Sequence, residues 1–300
     1  MNGVINVNKP LGITSHDVVY RLRKILSVKK IGHTGTLDPD AAGVLPMCIG
    51  RATKAADMLT AQDKQYIAEV TLGSATDTLD SSGSITETAE VNVTETDIKN
   101  TIAEFVGDIE QIPPMYSAIK VDGKKLYELA REGKEIERKP RLVRIDKIDV
   151  LDFDLENNRF SIKVDCSKGT YIRTLCDDIG RRLGCFAHMS GLTRTRSGRF
   201  DISESYTLEQ IEDMFSNGDM SFMTPIDKIF DEYDRLVITG RKAKKMCNGT
   251  QISVQGAIEG RTYRVYDEVG NFLTISKAED GVMKILKTFY QTIDGGGADK

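Results

Sequence analysis

Two extended runs, residues 142–151 and 159–166, flank a polar turn at Glu156-Asn157-Asn158. Runs of that kind pair as an antiparallel hairpin, so part of this chain must build a sheet. A third run, in which Tyr66, Ala68, Val70 and Leu72 alternate with Ile67, Glu69 and Thr71, has the period of a strand. Near the start, Val4, Ile5 and Val7 read as a short strand that stops at Pro10 and Gly12.

Helical patterns lie between these runs. Thr14 or Ser15 can cap a helix carrying Val18, Val19, Leu22, Ile25 and Leu26. Residues 94–106 open with Thr94 and Asp97 at capping-box spacing, and residues 171–184 close on Gly184. Residues 51–62, 124–132 and 207–215 read as further helices. Gly32 to Gly50 reads as a loop with short ordered pieces. From about residue 232 short β-like runs separated by Gly and Asn turns predict a small all-β domain, and the tail DGGGADK reads as disordered.

With 40% hydrophobic and 29% charged residues over 300 positions, the chain is globular and large enough for two domains. No apolar run is long enough for a membrane span, and MNGVINVNKP lacks the layout of a secretory signal, so the expected location is the cytoplasm. Five dispersed cysteines and three dispersed histidines lack the spacing of a zinc site. Net charge is −4, yet residues 166–200 carry seven Lys/Arg against two Asp/Glu, and residues 117–145 carry nine against five. Basic blocks in an acidic chain can still present a basic face to nucleic acid.

The stretch GHTGTLDPDAAGVL, Gly32 to Leu45, holds three glycines, a histidine and an Asp-Pro. It is not a phosphate-binding P-loop. Asp38 before Pro39 is compatible with a helix N-cap or with a reactive carboxylate. Asp40 stands too close in sequence for the separated carboxylates of a glycosidase.

Read with its following Pro46, this stretch closely resembles the signature of the pseudouridine synthases that modify the T loop of tRNA. The resemblance continues in NKPLGITSHDVV (residues 8–19), KQYIAEVTLGSATDTLDSSG (64–83), PPMYSAIKVDGKKLYELAREG (113–133) and SKGTYIRTLCDDIG (167–180). The blocks are collinear and span nearly all of residues 1–225. The resemblance implies an α+β fold with a large, mainly antiparallel sheet flanked by helices. It implies a catalytic domain at 1–230, with a basic RNA-clasping insertion at about 113–141. A β-rich PUA-like domain would follow at 231–292, then a disordered tail at 293–300.

The same resemblance assigns the site. Asp38 matches the essential carboxylate, Arg173 the arginine that pairs with it, and Tyr66 the tyrosine that stacks on the target base and takes part in late proton removal. His33 matches the residue inserted into the gap left by the flipped base. Tyr171 and Leu192 match walls of the base pocket. Lys9 and Pro10 match a turn that braces the active-site loop, and Lys9 is grouped with the substrate-binding residues. Lys120, Lys124, Lys125 and Arg131 would contact phosphates. Asp80 receives no role. No cofactor is implied, because isomerisation of uridine involves no redox change. The expected partner is tRNA through its T stem-loop, with no membrane, no obligatory protein partner and a monomeric enzyme. Synthases that work inside guide-RNA particles share the GHTGTLDP block, but this chain carries the stand-alone type's KQYIA and TDTLDSSG and lacks long basic extensions. A binding-only RNA-folding helper, and a hydrolase using Asp38 with Asp40, are the readings from other classes.

Overall fold

The structure, a computed structural model, describes residues 1–117, 119–121 and 123–290. The tail at 293–300 lies outside them. In chain order the strands are β1 (Gly3–Lys9), β2 (Ile31–His33), β3 (Ala41–Ile49), β4 (Lys64–Leu72), β5 (Ser74–Thr76), β6 (Ile85–Thr88), β7 (Gly107–Gln111), β8 (Lys120–Val121), β9 (Lys124–Lys125), β10 (Arg141–Asp154), β11 (Arg159–Cys166), β12 (Ala187–Ser197), β13 (Phe200–Asp201) and β14 (Met223–Thr224). A second, smaller sheet follows as β15 (Asp234–Ile238), β16 (Thr262–Asp267), β17 (Phe272–Glu279) and β18 (Val282–Thr288). The helices are α1 (Ser15–Leu26), α2 (Ala56–Thr60), α3 (Glu95–Ala103), α4 (Leu126–Arg131), α5 (Ile172–Leu183), α6 (Leu208–Ser216) and α7 (Gly240–Cys247).

The large sheet runs β14-β1-β3-β12-β4-β11-β10-β7, with β2 on β3 and β13 on β12. Its pairings are antiparallel except one. Leu192, Thr193 and Arg194 of β12 run parallel to Ala41, Ala42 and Gly43 of β3. The helices begin where their caps require: Thr14 with Asp17, Thr94 with Asp97, and Thr207 with Gln210 each form a capping box. Gly184 ends α5 at φ 75°, a left-handed conformation that glycine adopts without a Cβ clash.

Two predictions fail here for physical reasons. Residues 41–49 form a nine-residue central strand, not loop. Val44 and Cys48 pack into one core while Leu45, Met47 and Ile49 pack into another, so both faces are apolar and the sequence shows no alternation. The C-terminal unit is not all-β. It contains α7, whose Ala243 and Met246 enter the small core alongside Val265 and Met283.

Three cores position the site. One lies between α3, α5 and the β4-β11-β10 region, and the second between α1, α6 and the β1-β3 region. Tyr66 and Leu192 pack against both. The third joins Val44, Cys48, Leu59 and Phe230 to Ile275 of the small sheet and to Phe289 just after its last strand. Phe230 is 1% exposed and stacks on Tyr233 at 5.9 Å. Phe230→Ala should cost about 3–5 kcal/mol of stability, read as a lowered urea midpoint.

Candidate active site

Asp38 sits in the turn between β2 and β3. No helix follows it, and β3 starts at Ala41, so the helix-cap alternative does not apply. The turn is held from below. Ser15 at the head of α1 accepts from the Leu37 N–H at 2.8 Å and donates to the Leu37 carbonyl at 3.0 Å. The Gly12 N–H donates to the Pro39 carbonyl, and the Ala41 N–H to the Asp38 carbonyl. Lys9 is 0% exposed; its ammonium donates to the carbonyls of Pro10 (2.9 Å), Ile13 (2.7 Å) and Pro39 (3.4 Å). Lys9 therefore braces the loop from inside, and its placement among substrate contacts is corrected. An ammonium at this depth has no route to a phosphate.

The Asp38 side chain remains 46% exposed. Arg173, in the first turn of α5, brings Nη2 to 3.1 Å from Asp38 Oδ2. The same guanidinium donates from Nη2 to the Tyr116 carbonyl (2.8 Å) and from Nη1 to the Thr78 carbonyl (3.2 Å) and to Asp80 Oδ2 (3.4 Å). Arg173 is thus a buried cation between two carboxylates, held in a planar fork that fixes its orientation. The start of α5 is fixed by Gln111, which accepts from the Tyr171 N–H (3.0 Å) and donates to the Tyr171 carbonyl (3.3 Å).

Asp80 is the residue that sequence reasoning missed. Leu79 before it adopts φ 63°, and Asp80 accepts from Thr78 Oγ1 (2.7 Å) and from the Ser82 N–H (3.0 Å). The only available signal was an Asp followed at the second position by Ser, the pattern of a local side-chain turn.

Tyr66 and Leu192, half-buried in β4 and β12, share a core with Leu37, the residue before Asp38. Burial pushes the Tyr66 phenol up from its ordinary value, and the nearby Arg194 charge opposes that push. His33, in β2, is half-buried and its Nδ1 has no hydrogen-bond partner among the described residues. Burial, then the charges of Arg194 and His16, holds its imidazole below the ordinary value, which favours the neutral ring.

The structure brings Asp38, Arg173, Tyr66, Leu192, Lys9 and His33 to one region. Lys124, Lys125 and Arg131 stand apart on β9 and α4. Lys125 and Arg131 both lie over the Tyr127 ring, and Lys124 pairs with Glu132. Lys120 lies in β8, and its side chain is outside the described residues. The insertion is linked to the site through Tyr116 and Arg173.

The same architecture occurs in solved structures. A Cbf5-Nop10-Gar1 complex contains a chain with TM-score 0.74 and 28% identity, covering 96% of this chain and 85% of that one. An H/ACA RNP bound to a substrate RNA containing 2′-deoxyuridine contains one with TM-score 0.73 and 26% identity, covering 97% and 86%. The large, mainly antiparallel sheet with its flanking helices is the fold of the pseudouridine synthase class. The model for the TruB family pseudouridylate synthase N-terminal domain matches residues 23–172, and that for the tRNA pseudouridylate synthase B C-terminal domain matches 173–237. A protein named tRNA pseudouridine synthase B from Clostridium kluyveri is 45% identical over 293 residues, covering 96% of this chain and all of the relative. One of the same name from Bacillus cytotoxicus is 45% identical over 297 residues, covering 96% and 97%. The chain belongs to the TruB family of pseudouridine synthases.

Two outcomes test this geometry. Asp80→Asn removes one of the two charges that orient Arg173; turnover should fall about 100-fold with RNA affinity nearly unchanged, as measured by single-turnover kinetics and filter binding. Lys9 and Lys64 are each lowered by burial from 10.5 to about 8. Between about 8 and 10.5 the unfolded chain therefore holds more protons than the folded one, so these two lysines make stability rise as pH rises through that window. Urea denaturation across that window should show a smaller rise for Lys9→Met.

Proposed function

We propose that this protein converts a uridine in the T loop of tRNA to pseudouridine, acting without a protein partner, with Asp38 as the catalytic carboxylate. The observation that carries the reading is the half-exposed Asp38 carboxylate 3.1 Å from the buried Arg173 guanidinium. A carboxylate open to substrate on one side and held by a fixed cation on the other is charge-balanced and aimed. The relatives' name, tRNA pseudouridine synthase B, supports tRNA as substrate.

The chemistry needs one such group. The C1′–N1 bond of uridine breaks, the uracil turns, and C5 bonds to C1′; the C5 proton leaves to solvent while N1 gains one. Asp38 serves either by covalent attack or by taking a sugar proton to give a glycal. Arg173 orients it and balances its charge on both routes. Tyr66 and Leu192 wall the pocket for the extruded base, with Tyr66 stacking on it and assisting loss of the C5 proton. Tyr171 supports that wall. Extrusion costs roughly a few kcal/mol of stacking, and His33, whose Nδ1 is free of protein partners among the described residues, fills the vacated place in the loop.

Around the site, Lys120, Lys124, Lys125 and Arg131 of the insertion hold phosphates. The small C-terminal sheet is a PUA-like RNA-binding module, with Arg241, Lys242, Lys244 and Lys245 clustered on α7.

Tritium release from a 5-labelled T-stem-loop RNA tests the reading. Wild type should release tritium with no added metal or cofactor, and Asp38→Asn should lose at least about 100-fold in rate while still folding and binding RNA. Release by both would mean a different catalytic residue. Release by neither would remove the stand-alone activity.

A further inference from the structure

Arg194, in β12, is the largest fully buried side chain among the described residues, at 1% exposed. Its Nε donates to the Val44 carbonyl at 2.7 Å and its Nη2 to the Gly35 carbonyl at 3.2 Å. Gly35 and Val44 stand on either side of the turn that carries Asp38, so one guanidinium ties both ends of that turn. The Arg194 backbone runs against Gly43, where a Cβ would come within 2.3 Å of the Arg194 carbonyl oxygen. The glycine at φ 101° is what lets β12 approach closely enough for the guanidinium to reach both carbonyls.

Tyr66 stands directly opposite Arg194 in the β4–β12 pairing, so the two side chains leave the same face of the sheet as neighbours. No carboxylate of the described residues lies within 4.0 Å of Arg194. A guanidinium does not lose its proton in a protein, and without a paired acid its field acts on whatever is near. That field is felt by Tyr66, His33, Lys9 and Lys64. Tying the two carbonyls needs donors but not a full charge, so the buried charge itself calls for a use.

We propose that Arg194 is a positioning residue for the isomerisation: it locks the Asp38 turn at both ends and, through Tyr66, supplies positive charge to the pocket in which the detached base turns. The proposal rests on the function just described. Breaking C1′–N1 leaves the electron pair on uracil, and a buried cation behind the pocket's tyrosine, in contact with no acid among the described residues, stabilises that charge without touching the base.

The test uses full-length protein as wild type, Arg194→Lys and Arg194→Gln, with single-turnover rate, RNA affinity and melting temperature measured for each. A second set carries 3,5-difluorotyrosine at position 66, whose more acidic phenol is followed by its fluorine resonance against pH. Arg194→Gln should lower the rate about 100-fold with affinity within about threefold, and should move the position-66 titration to higher pH. Arg194→Lys keeps the charge but not the fork, so it should leave that titration near wild type while still slowing the reaction. A near-wild-type rate in either folded variant overturns the proposal. So does an unmoved titration in Arg194→Gln with a rate loss that follows its melting temperature. If Arg194→Gln does not fold, the rate of Arg194→Lys decides. Tyr66→Phe separates the two ideas: wild-type turnover there ends the role of Tyr66 and overturns the charge that Arg194 is proposed to supply through it, while the Arg194→Lys rate still decides the locking of the Asp38 turn.

Discussion

The Arg173 guanidinium is where four parts of the chain meet. It issues from the first turn of α5 and reaches the Asp38 turn, the Thr78–Asp80 turn and the root of the insertion at Tyr116. Removing a cation from water is costly unless its donors are filled and its charge is balanced. Here two carboxylates and two carbonyls do both. The Gln111 clasp on α5, the left-handed Leu79 and the Ser15 latch on Leu37 are all understood as parts that bring those partners to one point. If Asp38 is the reacting carboxylate proposed above, it depends on such fixing, because a misplaced carboxylate loses its aim at the substrate.

The region under Asp38 is cationic although the chain as a whole carries −4. Lys9, Arg173 and Arg194 are all less than a tenth exposed. Lys9 and Arg194 are satisfied by main-chain carbonyls, whereas Arg173 is satisfied by acids as well. Carbonyls orient a cation without cancelling it. The floor of the site therefore keeps positive potential in a low-dielectric setting, where it acts over longer distances than surface charge does.

Local signals were legible and non-local ones were not. The capping box at Thr94, the cap at Thr14 or Ser15 and the glycine stop at Gly184 announce helices because the information lies within four residues. The β10–β11 hairpin is legible for the same reason. The strands β3 and β12 are not, since β3 is apolar on both faces and β12 is full of Ser, Thr, Arg and Gly whose burial only the finished sheet creates. In the site, Asp38 and Arg173 were identified through sequence blocks, but their 3.1 Å contact joins residues far apart in the chain. Asp80 and Arg194 were passed over because nothing local distinguishes an acid in a polar turn, or an arginine in TRTR, from ordinary surface charge. Lys9 was seen as part of the right turn, but its depth was not.

The one parallel strand pairing of the large sheet, β3 with β12, has a consequence for biosynthesis. Residues 41–43 leave the ribosome long before residues 192–194 exist, and a contact so distant in sequence closes late. Until then the Asp38 turn lacks its upper neighbour, the two cores lack Leu192 between them, and α5 has only just been made. A nascent chain exposes its basic early segments without a finished reaction centre, so catalysis begins only once nearly the whole large sheet has been synthesised. The order of the chain itself thus keeps an incomplete enzyme from reacting with RNA.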